Sequence, residues 1–533
     1  MRFARLVAAF VAAVALITPV TAQAAATTYW VDPGGLDGGP GSEAAPWGTL
    51  QHAVDQADPG DTIVVNPGAY PGMRIERSGA PGAWITLTAE PGTVVIDEPG
   101  PDNRHDSNIE VETWSGAGTV SYWIIEGIEV SGAPNWGIDV RGSADSHSHH
   151  ITIRRNDVHH NGVASTKTGI FFAFTDDVVV ADNTSHHNGE HGIYLSNSGD
   201  RFRVNRNHLY QNERCGLHMN GDLSQGGDGI ISSGRIVSNL IEDNGAEGCA
   251  GINLDGVTKV HISDNVVVEN HATGIAVFRG DGAVCSRNVT IVNNTIVQAA
   301  DGRWGVVMGG PGCRNVTLLN NVILTRHAWR GVIEMPSAGM PGLVSDHNVV
   351  TGRFTTDGGD TVLDLAAWQA ATGQDGASVA AAIPAVLVAG SYRHRGDGPA
   401  QDTGVAVNSR RDHDLVPRPR GEAWDVGAFE TPLCDGRLAT IVGTNGDDAI
   451  TATDGDDVVV GLMGRDEIAL LGGDDVACGG RGGDHLIGGS GDDHLEGNRG
   501  NDLIEGNGDT DTARGGPGTD VCLTCEDSRS CET

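Results

Sequence analysis

Five stretches of the chain, RRNDVHHNG, ADNTSHHNG, NRNHLYQNE, VSNLIEDNG and SDNVVVENH, superpose on Asn156, Asn183, Asn207, Asn239 and Asn265. Each carries a second asparagine five residues on, at Asn161, Asn188, Asn212, Asn244 and Asn270. A glycine–apolar pair then opens a short strand, at Gly169-Ile170, Gly192-Ile193, Gly216-Leu217, Gly251-Ile252 and Gly274-Ile275. The period is 24 to 32 residues. Two weaker copies, VTIVNNTIV and VTLLNNVIL, align on Asn294 and Asn321 and lack the second asparagine. A repeat of this size cannot bury an apolar face alone, so its copies must stack. Short β-branched strands between Asn and Gly turns stack as the coils of a parallel β-helix. Asparagines at one position then form side-chain ladders that also satisfy turn backbone groups. A β-propeller would need four strands per blade at a longer, more even period.

The preceding segment fits this plan. From Tyr29 the chain reads as a strand, a glycine-rich loop, a short helix over Leu50–Ala57 and a first coil around Thr62–Val65. The helix is expected to cover the open end of the solenoid, where strand edges would otherwise be unpaired. With this opening and its Asn-x-x-x-x-Asn coils, the chain resembles the right-handed parallel β-helix superfamily of polysaccharide lyases and uronan epimerases over residues 27–350. After Val350 the pattern breaks. LDLAAWQAAT (Leu363–Thr372) reads as a helix ended by Gly373. The rest of 351–432 is expected to close the β-helix by packing on its end or flank.

A second repeat follows a linker at 433–442. Over 443–523 the chain runs in nonapeptides such as GTNGDDAIT, GGRGGDHLI and GGSGDDHLE. Aspartate holds the sixth position throughout: Asp448, Asp457, Asp466, Asp475, Asp484, Asp493, Asp502, Asp511 and Asp520. The eighth position is small or apolar. Glycine permits tight turns that present carbonyls, and aspartate supplies the hard oxygen ligands that calcium takes. The segment resembles the hemolysin-type RTX calcium-binding repeat, which implies a calcium-bound parallel β-roll with these nine aspartates as ligands. Without calcium the stacked acids repel over a thin core, and the segment should be disordered. The leading glycine pair is missing at Ala452-Thr453 and Leu470-Leu471, which weakens particular sites. A cysteine-containing tail occupies 524–533.

Charge and cysteines bound the partners. The net charge of −36 argues against nucleic acid, whose phosphates need a basic face. Residues 440–533 hold 21 acids against 5 arginines, so much of that charge belongs to the repeats and says little about a substrate. Residues 1–24 read as a secretory signal peptide, with Arg2 and Arg5 before an apolar run too short to span a membrane. A secreted, extracellular monomer is expected. Nine cysteines in an exported chain suggest disulfides with one left over. Cys215 with Cys249, and Cys285 with Cys313, lie one repeat apart, while Cys522, Cys525 and Cys531 crowd the C-terminus.

Superposing the strands on their leading glycines separates inward from outward residues. The second position runs Phe171, Tyr194, His218, Asn253, Ala276 and the fourth Ala173, Ser196, Asn220, Asp255, Phe278. The middle coils therefore gather Tyr194, Ser196, His218, Asn220, Asn253 and Asp255 into one patch, with Asp200, Asp222, Asp228 and Arg279 at the following turns. Proton abstraction at C5 of a uronate needs a base, a cation for the carboxylate and an acid at the leaving oxygen. His218 or Tyr194 could serve as base or acid, and Arg279 could clamp the carboxylate. Asp222, Asp228 and Asp255 could instead gather a calcium. Lys167, one of only two lysines, is an alternative base, since some lyases of this fold use lysine.

The reading is β-elimination or C5-epimerisation of an acidic polysaccharide such as alginate or pectin. A glycoside hydrolase with Asp222 and Asp255 as paired carboxylates, or a non-enzymatic glycan-binding surface protein, are the alternatives. Two features are not absorbed. His147, His149 and His150, with the pairs His159-His160 and His186-His187, could bind a transition metal or simply stack at a turn. DNRHDS (Asp102–Ser107) holds acids and a histidine in a different order from the motif of alginate epimerases, so no role is carried onto it.

Overall fold

A computed structural model describes residues 26–113, 118–337, 340–388 and 390–531; the expected signal peptide lies outside the described residues. Three long sheets, of 13, 11 and 12 strands, run the length of a right-handed parallel β-helix. Consecutive coils pair in parallel, and those from Ile170 to Phe278 on the second sheet do so in register. The first sheet begins at Thr28–Val31 and ends at Val344–Asp346, the second runs from Met73–Ile75 to Phe354–Thr355, and the third from Gly68–Pro71 to Val379–Ala380. Inward side chains such as Ile170, Phe172, Ile193, Leu217, Met219 and Ile252 join one continuous apolar core.

The corners explain why these residues coil. At the turn before each first-ladder asparagine stands a left-handed residue: Arg155, Asp182, Arg206, Ser238, Asp264, Asn293, Asn320 and His347, with φ between 53° and 58°. That single αL residue turns the chain and aims the next side chain inward. Asn156, Asn183, Asn207, Asn239, Asn265, Asn294, Asn321 and Asn348 form one buried ladder, each Nδ2 donating to the Oδ1 of the next at 2.9 to 3.1 Å. The same Oδ1 also accepts the backbone N–H of the preceding asparagine. A second ladder joins Asn161, Asn188, Asn212, Asn244 and Asn270, again behind αL residues. Where the later coils lack that asparagine, Gln298 donates to the backbone of Ala272 instead.

Helix α1 (Leu50–Gln56) buries Leu50, Ala53 and Val54 in the main core. Its Gln51 side chain bonds both the N–H and the carbonyl of Arg74, on the first strand of the second sheet, as a neighbouring strand would. Helix α2 (Leu365–Thr372) is capped by Asp364 and ends at Gly373, whose φ of 69° needs no Cβ clearance. The segment after it lays Val386, Ala400, Val426 and Ala428 on the outer side of the third sheet, against Val266, Val268, Val297 and Leu324. Arg418 is buried there between Glu430 and Asp264.

The nonapeptides form a parallel roll of a six-stranded and a five-stranded sheet. Ile450, Val459, Ile468, Leu486, Leu495 and Ile504 meet in its core. Disulfides join Cys215–Cys249, Cys285–Cys313, Cys434–Cys478 and Cys522–Cys531, leaving Cys525 free. The pairing at 434–478 ties the linker to the roll.

The ladder should carry measurable stability. Asn212→Ala strips the acceptor from both the N–H and the Nδ2 of Asn188. Asn188 Nδ2 keeps Val158 O and Ser185 Oγ, so one buried N–H is left unpaired, which should cost about 1–3 kcal/mol, read as a lower urea midpoint; a loss under about 0.5 kcal/mol, the size of an ordinary surface substitution, would contradict this role.

Candidate functional site

The register places the outward residues of the second sheet in two straight columns. One runs Glu110, Asp139, Phe171, Tyr194, His218, Asn253, Ala276. The other includes Arg141, Ala173, Ser196, Asn220, Asp255 and Phe278. The column expected from Phe171 to Ala276 is therefore present, and it extends further upstream than the aligned glycines indicated. Phe171 does not end the polar face; it separates two polar clusters.

In the downstream cluster, His218 stacks on His191 with ring centroids 4.4 Å apart and leans on Tyr194 at 4.5 Å. Asn253 Nδ2 donates to His218 Nδ1 at 2.8 Å, which leaves the imidazole proton on Nε2. Burial, with Arg214 adding to it, pushes the imidazole down to about 4. His218 is thus a neutral hydrogen-bond donor at neutral pH, and its Nε2 is not free to act as a base. Burial raises the Tyr194 phenol, with Ser196 and Asn220 as hydrogen-bond partners working against it, so Tyr194 keeps its proton.

Other expected roles change once the loops are seen. The Asp255 carboxylate accepts the N–H groups of Gly280, Asp281 and Gly282 at 2.7 to 3.2 Å and is spent on capping that loop. Asp222 caps the 3-10 turn Leu223–Gln225, and Asp228 accepts the N–H of Ile230. The three do not converge as calcium ligands, and Asp255 cannot serve as a free partner to Asp222. Arg279 is exposed and donates Nε–H to Gly282 O in its own loop.

The upstream cluster is the part that sequence reasoning missed. Asp139 is buried and takes both its oxygens to Arg141 Nε at 2.8 and 2.9 Å. Glu110 is fully buried and accepts the N–H groups of Arg104 and His105. Burial raises both carboxyls. For Glu112 burial acts the same way but is outweighed by His105, whose Nε2 lies 3.0 Å from it, and by nearby arginines, so its carboxyl is held low. The Arg141 guanidinium lies over the rings of Trp136 and Phe171, at 4.6 and 4.8 Å from their centroids. Lys167 Nζ lies 5.0 Å from the same Trp136 ring, and its charge also acts on the half-buried Glu190. Arg141 Nη2 is buried and finds no hydrogen-bond partner among the described residues. One signal was available: Gly137-Ile138-Asp139-Val140-Arg141 has the same glycine–apolar opening as the five aligned strands.

The face thus presents an aromatic platform, Trp136–Phe171–Tyr194, with Arg141 and Lys167 at the tryptophan and the neutral His218–Asn253 pair beyond the tyrosine. Such an arrangement can stack a sugar ring, neutralise an anion, and offer one amine and one N–H to a reacting centre.

The calcium repeats meet a direct fit test. From Asp466 to Asp520, each sixth-position aspartate accepts through Oδ1 the N–H of the aspartate two repeats earlier, at 2.7 to 3.0 Å. The Oδ2 atoms of Asp466, Asp475, Asp484, Asp493, Asp502, Asp511 and Asp520 are all buried without a partner. Seven orphaned carboxylate oxygens beside glycine turns fit a row of calcium ions. Asp448 and Asp457 differ, because Thr444 and Thr453 donate to their Oδ2 atoms. Burial, aided by neighbouring acids, raises Asp484 to about 6 and Asp493 to about 7.

Residues 29–245 match the family model described as the Pel9A-like, right-handed beta helix region. Residues 440–468 and 487–522 match the RTX calcium-binding nonapeptide repeat. Pectate lyase PEL9 of Emericella nidulans is 31% identical over 141 residues, 25% of this chain and 34% of that protein. The chain therefore spans about a third of the length of the curated relative it matches. The crystal structure of pectate lyase Pel9A aligns over 76% of this chain and 96% of its own, at 18% identity and a TM-score of 0.49. The A-module of the Azotobacter vinelandii mannuronan C-5 epimerase AlgE6 aligns over 56% and 79%, at 16% identity and a TM-score of 0.36.

The raised carboxyls give the roll a defined pH response. An acid whose folded pKa exceeds its unfolded value of 3.8 favours the fold while protonated and opposes it as pH rises through the folded value. In chelator, residues 458–523 of the full chain should be most protected from hydrogen exchange below about pH 4 and lose protection as the pH rises from about 4 to 7. Calcium at pH 7 should restore it. Protection that ignores both pH and calcium would contradict the assignment. The chain is thus a right-handed parallel β-helix whose residues 29–245 match the Pel9A-like family model, followed by a roll whose repeats match the RTX calcium-binding nonapeptide.

Proposed function

We propose that the protein is an exported, calcium-binding enzyme that cleaves an acidic polysaccharide of the pectate or alginate class by β-elimination on its second sheet. The observation that carries this reading is Arg141: a guanidinium held by Asp139 and laid across Trp136, with Nη2 buried and unpaired. A uronate carboxylate is the group that would complete it, and the Trp136 ring beside it suits the face of the same sugar. The relative in Emericella nidulans is a pectate lyase, which agrees with this class of substrate.

The residues divide the work as follows. Arg141 binds the carboxylate and withdraws charge from C5. Lys167 takes the C5 proton on its amine nitrogen. The electron pair forms the C4–C5 double bond as the C4–O bond breaks. His218 donates its Nε2–H to the departing oxygen, which takes its proton from water; a neutral imidazole is suited to this because it stabilises developing charge. Asn253 holds the tautomer, and Tyr194 walls the site as a protonated phenol. C5-epimerisation would share the abstraction step but needs a proton returned to the opposite face of C5. The hydrolase alternative loses its pair, since Asp255 is consumed by three backbone N–H groups. Calcium ordering the C-terminal repeats serves folding and extracellular stability.

The test is product analysis on polygalacturonate and alginate in calcium, following unsaturated uronate by ultraviolet absorbance and C5 inversion by NMR. Wild type should give unsaturated ends. Lys167→Ala should lose about 10²–10⁴-fold in kcat, and His218→Ala about 10²–10³-fold. Arg141→Lys should lose activity too, because an ammonium cannot reproduce the fork. C5 inversion without cleavage would make the enzyme an epimerase. New reducing ends without unsaturation would make it a hydrolase, and no change on any uronan would favour a binding protein.

A further inference from the structure

The histidine pairs stand on the third sheet, apart from the face just described. Strands Asp157–His159 and Thr184–His186 pair in register, with His159 opposite His186. Their rings stack at 4.8 Å with 14° between planes, and Tyr210 continues the stack from the next coil at 4.5 Å. Asp157 lies two residues before His159, on the same side of its strand. Its Oδ1 is 3.2 Å from His186 Nε2, and ligand atoms of Asp157, His159 and His186 all lie within 4.8 Å of one another. The side chains of His186 and His159 are 13% and 18% exposed, and that of Asp157 49%, so the ligand set is held firmly and remains open to solvent.

The second member of each pair has a different place. His160 and His187 are the αL corner residues before Asn161 and Asn188, so the asparagine ladder fixes their backbone. Their rings stack on each other at 5.0 Å. His160 Nδ1 is 2.8 Å from His159 Nδ1, and His187 Nδ1 is 2.6 Å from His186 Nδ1. Two ring nitrogens this close share one proton. When His159 and His186 carry it on Nδ1, their Nε2 atoms hold free lone pairs, that of His186 facing Asp157 Oδ1, which is how an outer hydrogen-bond partner prepares a metal-binding imidazole.

We propose that Asp157, His159 and His186 bind one divalent transition-metal ion through a carboxylate oxygen and two Nε2 atoms, with His160 and His187 as the outer partners that orient the rings. Two imidazoles and one carboxylate select a transition ion such as Zn²⁺ or Cu²⁺ over calcium, which takes oxygen ligands. Without metal, His159 directs Nε2 at Glu129 Oε1, 3.3 Å away, and accepts at Nδ1 from His160. On binding, the pair keeps both protons but shifts them: His159 donates Nδ1–H to His160, which holds its own on Nε2. The ion would link two successive coils, acting as a clamp across the third sheet that owes nothing to the calcium repeats.

The test titrates Zn²⁺ into calcium-saturated full-length protein by calorimetry and compares variants that circular dichroism shows to be folded. His186→Gln should lose one bound equivalent. His187→Phe keeps a ring in the stack but removes the Nδ1 partner, and should weaken that equivalent about 10–100-fold. Cu²⁺ bound to wild type should show nitrogen coupling from two imidazoles in its EPR spectrum, and His186→Gln should abolish it. Equal Zn²⁺ stoichiometry and affinity in wild type and His186→Gln would overturn the proposal, as would a Cu²⁺ spectrum that His186→Gln leaves unchanged.

Discussion

The β-helix depends on one corner: a residue in the left-handed region followed by an asparagine whose amide bonds the same amide on the next coil. The first gives the chain its sharp turn, and the second fixes the height and rotation of each coil on the one before. Because a strand alternates its faces with period two, a slip of one residue would exchange core for surface along the whole coil. The ladder excludes that slip. Everything functional inherits the registration: the straight columns of the second sheet exist because the corners beside them are locked.

The C-terminal repeats use stacked side chains with the opposite electrostatic consequence. In the asparagine ladder each amide offers both a donor and an acceptor, so the stack is neutral and self-satisfied. In the roll the stacked side chain is a carboxylate, with acceptors only. One oxygen takes a backbone N–H from a neighbouring repeat, and the other is left buried without a partner in seven successive repeats. A neutral ladder needs nothing further; a ladder of acids is incomplete until a cation arrives. The two halves of the chain therefore differ in what they require from their surroundings, although both are parallel stacks with turn chemistry at their corners.

Much of this was legible in the sequence because repeats expose their own geometry. The asparagine spacing predicts the ladders, the glycine–apolar openings predict the inward and outward columns, and the nonapeptide predicts the roll. The pairings Cys215–Cys249 and Cys285–Cys313 follow from the same register. What could not be read was the hydrogen bonding of the outward side chains and the loops that reach them. Asp255 looks like a free acid in a strand, but the loop Gly280–Gly282 folds back and uses its oxygens. His218 looks like a base until Asn253, 35 residues away, fixes its tautomer. The Asp139–Arg141 strand carries the right opening but lacks the double-asparagine turn before it, so an alignment anchored on asparagines passes it by. His105 reaches the site from an irregular loop that no periodicity describes.

In the proposed complex an acidic sugar lies on the second sheet, with its carboxylate on Arg141 and its ring against Trp136. The most direct measurement is the crystal structure of Lys167→Ala soaked with a tetragalacturonate or an alginate tetramer. The oligosaccharide should lie along the column from Asp139 to Asn253, with one carboxylate bonded to Arg141 Nη2. An oligosaccharide bound instead in the cleft between Arg235 of the first sheet and Arg410 and Arg411 of the closing segment, with Arg141 Nη2 still unpaired, would contradict it.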